Sequence, residues 1–132
     1  AMVRPSGALL LINDDAPLAH RLGADGLHLS AASLRNCHER PDFPWVGASC
    51  HNAEELAMAQ ALELDYALLG PVFPTRTHPG APTLGWKEFA RLVEDCTLPV
   101  FALGGLSEDQ LGEAQGHGAH GVALKSQAWR EP

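Results

Sequence analysis

The sequence predicts an α/β protein of the (β/α)8 TIM-barrel type, incomplete, with about six βα units and the first two missing. Two observations predict it. Short apolar runs alternate strictly with segments of helical spacing along the chain, and parallel strands need such helical crossovers between them. A Gly-Ala-Asp-Gly or Gly-Ala-His-Gly step also recurs before a strand, at Gly23–Gly26 and Gly118–Gly121, as internal repetition would produce. A complete barrel has eight units and typically about 250 residues, so 132 residues leave two arrangements. Either a barrel lacks two units, or six strands form an open sheet with two edges to cover.

The elements follow in order. The run from Ala8 to Asn13 is apolar on both faces, as a strand buried in a parallel sheet is, and stops at Asn13-Asp14-Asp15. Leu18, Ala19 and Leu22 give a helix over Pro17 to Leu22, with Gly23 as its stop. A strand at Gly26 to Leu29, a helix near Ala32 to Cys37 and a proline loop at Pro41 to Pro44 come next. The alternation then continues through strand Trp45 to Ser49, helix Ala53 to Leu62, strand Tyr66 to Leu69 and a long loop. Helix Trp86 to Cys96, strand Val100 to Leu103, helix Ser107 to Gly116 and strand Gly121 to Leu124 complete it.

Composition bounds the function. With 45% hydrophobic and 19% charged residues the chain reads as one globular domain over residues 1–132. Nine basic against 16 acidic residues, net −7, oppose binding to a nucleic-acid backbone or an anionic membrane. The apolar runs fall far short of the roughly 20 residues of a membrane helix, and no signal peptide opens the chain, so the cytoplasm is the expected compartment. Cys37, Cys50 and Cys96 form no CxxC pair, which predicts reduced thiols without disulfide or structural zinc.

In a βα protein the functional residues follow the strands. Here these are Asn13-Asp14-Asp15, Ser30, Ser49-Cys50-His51, the loop from Gly70, Gly104-Gly105 and Ser126. Gly104-Gly105, between a strand and a helix, lets an anion approach backbone N–H groups, with Lys125-Ser126 as a second donor set. The same pair reads equally as a tight turn with Ser107 as N-cap. His51 places a group titrating near neutral pH at the mouth, a candidate acid/base. Asn52 and Glu55 form a capping box that leaves the imidazole free. His28, inside a strand, reads as a buried histidine satisfied by a backbone group. Asp14 or Asp15 offers a carboxylate for Mg²⁺ or a substrate hydroxyl, with Asp15 also an N-cap. Thr75, Thr77 and His78 sit in a loop rich in proline and glycine, Gly70 to Leu84, with the length of a binding loop.

The blocks LLINDD, GADGLHL, VGASCH, GPVFPT with a nearby THPG, PVFALGGL and GAHGVALKS, in this order from about Leu9 to Ser126, resemble the thiamine-phosphate synthase and thiazole tautomerase superfamily. That family is a (β/α)8 barrel, so the resemblance equates the six units with strands three to eight. It implies that Gly104, Gly105 and Ser126 hold the phosphate of a thiazole phosphate. Asn13 and Asp14 would line the pyrimidine pyrophosphate and magnesium side, and Thr75 and Thr77 the substrate loop. His51 matches the histidine that moves a proton in the tautomerase branch.

There are departures. The Gln-x-Arg-x-Lys pattern of the first strands is missing, Ser33 stands where synthases carry a second magnesium-binding aspartate, and His78 replaces a lysine. Losing a carboxylate and cations removes transition-state stabilisation of several kcal/mol from a pyrophosphate ionisation, so full synthase activity is not expected of this chain alone. VGASCHNAEELA and LPVFALGGL look closer still to the synthase-like domain fused behind Nudix hydrolases, although no Nudix box occurs in this sequence. Two functions follow: a phosphate-ester-binding enzyme domain of thiamine biosynthesis or salvage, or a non-catalytic accessory domain of such a fusion. A barrel short of two strands further implies a homo-oligomer, or an absent N-terminal segment or domain, to cover its edges.

Overall fold

A computed structural model describes residues 9–75, 80 and 82–123. Its strands are β1 Leu11–Asn13, β2 Gly26–Leu29, β3 Trp45–Cys50, β4 Tyr66–Leu69, β5 Val100–Leu103 and β6 Gly121–Ala123. Helices alternate with them: α1 Ala16–Leu22, α2 Ala31–Arg35, α3 Ala53–Ala61, α4 Gly85–Val93 and α5 Leu111–Gly116. Each strand pairs in parallel with the next, in the order β1-β2-β3-β4-β5-β6. A doubly wound sheet reverses its strand order at a switch point. This sheet never reverses, so right-handed crossovers lay every helix on one face, as in a barrel wall. This winding distinguishes the two arrangements: among the described residues β6 does not pair with β1, and the six strands form an arc of a (β/α)8 barrel.

Burial follows from that winding. On the helix side Leu27, Val46, Ala48, Ala67, Leu69, Val100 and Ala102 are buried, packed with Ala19, Leu34, Leu56, Phe89 and Ala114 from the helices. The opposite face carries the alternate residues, in register as Asn13, His28, Gly47 and Tyr66 across β1 to β4. It is more open: Trp45 is 43% exposed, and Tyr66, Leu68, Phe101 and Leu103 are half-buried. A hollow of about 260 Å³ lies there, lined by Leu9, Leu11, Trp45, Tyr66, Phe101 and His120.

The repeated Gly-Ala-Asp-Gly step is a geometric unit. Gly23, Glu63 and Gly118 all take positive φ (63°, 56° and 98°) at the end of a helix. The next residue returns its N–H to the helix each time, Ala24 to Ala19, Leu64 to Ala59 and Ala119 to Ala114. The residue after that joins the preceding strand, Asp25 N–H to Leu10 O, Asp65 to Val46 O and His120 to Val100 O. The sequence pattern is visible at two of these three places. The third, Glu63-Leu64-Asp65-Tyr66, lacks the glycines and carries the same turn.

Some boundaries move. The second helix is Ala31–Arg35 and the fourth ends at Val93, short of Cys37 and Cys96. The segment from Ser107 splits into α5 and a 3-10 turn, Glu108–Gln110, which the Gln110 N–H closes on Ser107 O at 3.0 Å while its side chain caps the Ser107 N–H. No helix of the described residues is long and apolar enough to cross a membrane. The three cysteines are free thiols, and burial pushes Cys50 up to about 12.

Candidate functional site

At the carboxyl end of the sheet, the residues that follow a strand are largely those that start the next helix. Asp15 accepts the Leu18 N–H at 3.0 Å to cap α1, Ser30 accepts that of Ser33 at 3.2 Å to cap α2, and Asn52 accepts that of Glu55 at 2.8 Å to cap α3. Each such cap is worth about 1 kcal/mol. What remains for a ligand is the set of neighbours those caps leave unused, chiefly Asn13, Asp14, Ser49, His51 and the Gly104-Gly105 turn.

The first cluster crosses three strands. His28, Gly47 and Tyr66 are register partners on β2, β3 and β4. Because Gly47 has no side chain, the Tyr66 ring lies across β3: a Cβ on Gly47 would stand 1.9 Å from Tyr66 Cζ. The Tyr66 hydroxyl thereby reaches His28 Nδ1 at 2.7 Å, and Ser49 Oγ meets His28 Nε2 at 2.8 Å. His28 is therefore satisfied by two side-chain hydroxyls, not by the backbone group expected from its place in a strand. Burial lowers the pKa of His28 against the pull of the Asp14 charge, and burial with the Asp65 charge pushes Tyr66 up to about 12. Near neutral pH this is an uncharged hydrogen-bonding platform.

Asp14 sits at its edge with φ 59°, and its Oδ1 accepts the Ser30 N–H at 2.8 Å. Burial pushes its carboxyl up, but hydrogen bonds from Ser30 and Ser33 and the nearby His28 outweigh that and hold it below the usual carboxylate range. Asn13, exposed, shares the inner-face row with His28. Asp14 is one exposed carboxylate held by Ser30 and Ser33, and among the described residues no group of three His, Cys, Asp or Glu could hold a metal. A single carboxylate fits a magnesium ion that keeps most of its ligands as water, not an all-protein cage.

His51 stands just past β3. Its backbone N–H and its Nδ1 both meet Glu55 Oε1, at 2.7 and 3.0 Å. The capping box thus forms only by half: Asn52 caps, while the Glu55 carboxylate takes the N–H of His51 rather than of Asn52. Nor is the imidazole free. Its hydrogen bonds among the described residues run to Glu55, and none joins it to His28 or to the Gly104-Gly105 turn. His51 lines a groove of about 530 Å³ with Asn52, Glu54, Leu84, Glu88 and Arg91.

Gly104 and Gly105 have φ of 103° and 68°. A Cβ on Gly104 would lie 2.6 Å from Pro71 Cα, and one on Gly105 2.7 Å from Pro74 O and 2.8 Å from Phe73 Cβ. The Phe73 N–H bonds to Gly104 O at 3.1 Å and that of Val72 to Leu103 O at 2.9 Å. The pair is thus the seat of the loop after β4, a packing duty that exists with or without an anion. Thr75 lies in that loop. Thr77, His78 and Ser126, with Lys125, lie outside the described residues.

Neighbouring strands are about 4.8 Å apart, so Asp14 at β1, His51 at β3 and Gly104 at β5 are spaced by about 10 Å each along the rim. Glu55, Arg35 and Tyr66 are the residues that sequence reasoning missed as site components. Only Glu55 carried a signal, an acid four residues after His51 on a helix entry.

The chain matches the family model described as "Thiamine monophosphate synthase" over residues 1–128. It is 42% identical to the thiamine-phosphate synthase of Thermobifida fusca over 118 residues, covering 86% of this chain and 54% of that protein. With the thiamine-phosphate synthase of Thioalkalivibrio sulfidiphilus the identity is 35%, covering 100% of this chain and 64% of the other. In structure it is similar to the thiamine phosphate pyrophosphorylase from Pyrococcus furiosus, with a TM-score of 0.74 and 29% identity over 93% of this chain and 60% of that one. The chain spans between 54% and 64% of the length of these relatives.

Proposed function

The chain belongs to the thiamine monophosphate synthase family, and we propose that it serves thiamine biosynthesis, its rim binding a thiazole phosphate or a similar phosphate ester. The phosphate is assigned to the Gly104-Gly105 turn with Ser126, and the substrate loop to Thr75, Thr77 and His78. His51 is the group that exchanges a proton with the ligand. The observation that carries this reading is the spacing of Asp14, His51 and Gly104-Gly105 on alternate strands of one parallel sheet, which suits a ligand with separate anionic and ring ends. Asp14 and Asn13 take the pyrophosphate end. Magnesium would neutralise charge on a pyrophosphate there, with Asp14 as its single protein carboxylate.

Calorimetric titration with thiazole phosphate, using inorganic phosphate as reference, tests it. Binding clearly tighter than that of phosphate is expected; equal or absent binding overturns it. Full synthase turnover is not part of this proposal, since the resemblance sets Ser33 against an aspartate of the synthases. The block VGASCHNAEELA favours a second reading, an accessory domain that partners a Nudix hydrolase. That reading requires no turnover with or without magnesium.

A further inference from the structure

Glu55 is buried, with 1% of its side chain exposed, although it is a carboxylate on the first turn of α3. Both oxygens are committed. Oε2 accepts Arg35 Nε at 2.7 Å from the last turn of α2, and Oε1 faces the backbone N–H and Nδ1 of His51. We infer that Glu55, anchored by Arg35, is a positioning residue that fixes His51 with its proton on Nδ1 and leaves Nε2 as the proton-exchanging atom. This deepens the reading above, since it rests on His51 as the acid/base.

The argument is one of donor and acceptor counting. Burial pushes the Glu55 carboxyl up, but hydrogen bonds from His51 and Arg35 and the charge of His51 hold it below the usual glutamate range. An ionised carboxylate only accepts. The His51 nitrogen facing it must therefore donate, and in the neutral ring the lone pair is then on Nε2. Among the described residues no hydrogen bond occupies Nε2, and the His51 side chain is 53% exposed. When Nε2 takes a proton from a ligand, the imidazolium formed faces the Glu55 carboxylate, and the proton can return from the same atom. The Arg35 guanidinium offers donors alone and keeps Oε2, so the carboxylate cannot swing toward water without breaking a charged pair. A glutamate serving only as a helix cap would leave the imidazole tautomer unspecified.

The test is long-range ¹H–¹⁵N correlation spectroscopy of the histidine-labelled chain without ligand. Neutral His51 is expected predominantly as the Nδ1–H tautomer. Glu55→Gln removes the charge that holds the proton on Nδ1 whichever way its amide oxygen turns, toward Arg35 or toward the two His51 N–H groups, so the Nε2–H population rises several-fold. Arg35→Gln, which keeps the carboxylate, is expected to shift the population in the same direction by less. Nε2–H in the unaltered chain overturns the inference, as does a folded Glu55→Gln with unchanged tautomer. Should Glu55→Gln not fold, the unaltered chain and Arg35→Gln still decide. Thiazole phosphate is titrated separately: no binding with the Nδ1–H tautomer intact refutes the ligand reading and leaves the positioning role standing. Binding that leaves the Nε2 resonance unmoved overturns the proton-exchange assignment.

Discussion

One oxygen, Glu55 Oε1, accepts both the backbone N–H of His51 at 2.7 Å and its Nδ1 at 3.0 Å. Glu55, four residues after His51 and in the first turn of α3, thus sets both the course of the chain leaving β3 and the orientation of the ring. Glu55→Gln removes a buried charge that Arg35 and His51 face, and a hydrogen bond to a charged group is worth about 1.5–3 kcal/mol, so a loss of that size is expected in urea unfolding at pH 7. The Glu55 pKa is lowered in the folded chain. Its contribution is present above the ordinary glutamate value of 4.5 and lost as pH falls through the lower folded value. The gap between unaltered chain and Glu55→Gln therefore narrows on acidification below pH 4.5, and a gap that widens there contradicts the ion-pair account.

Gly105→Ala is expected to destabilise the fold by about 1–3 kcal/mol, the usual cost of a left-handed backbone without glycine. Its Cβ adds the contacts with Phe73 and Pro74 at under 3 Å. Thermal unfolding measures this, and an unchanged midpoint would mean that the loop after β4 does not rest on the turn.

These two positions also mark what the sequence discloses and what it hides. Strand and helix alternation depends on local spacing, so β2, β4 and β5 coincide with their apolar runs, and Asp15 and Asn52 cap the helices that follow them. The single winding direction is a property of strand order and needed the sheet. His28 needed it as well: its partners, Tyr66 and Ser49, are 38 and 21 residues away, and Tyr66 reaches it only because Gly47 is empty between them. Glu55 sits beside His51 in sequence, yet its burial depends on Arg35, 20 residues away. Gly104-Gly105 remains two-sided, because the crowding that explains a tight turn is compatible with an anion above it.

The His28 network gives a pH prediction. Burial lowers the His28 pKa below its ordinary 6.5, so the unfolded chain binds the proton more readily. The contribution to stability is present above pH 6.5 and is lost as pH falls through the lower folded value. His28→Leu leaves the Tyr66 and Ser49 hydroxyls without that partner, for an expected loss of about 1–3 kcal/mol at pH 7.5. The difference between the two chains should shrink at pH 5.5. Denaturant midpoints at both values measure it, and a difference independent of pH would place the His28 titration outside the folding equilibrium.

The inner face leads to the last prediction. Trp45 is 43% and Leu9 47% exposed beside the 260 Å³ hollow, and among the described residues β1 and β6 each pair on one side only. We propose that a second copy of the chain covers both features, with an apolar face against the hollow and polar backbone along the strand edges. The chain by itself is therefore expected to sediment as a dimer at micromolar concentration. Trp45→Glu, which puts a charge on the wall of the hollow without entering the helix-side core, should return it to a monomer with helical circular dichroism unchanged. A monomer for the unaltered chain overturns the dimer. A dimer that survives Trp45→Glu assigns the contact to the strand edges instead of the hollow.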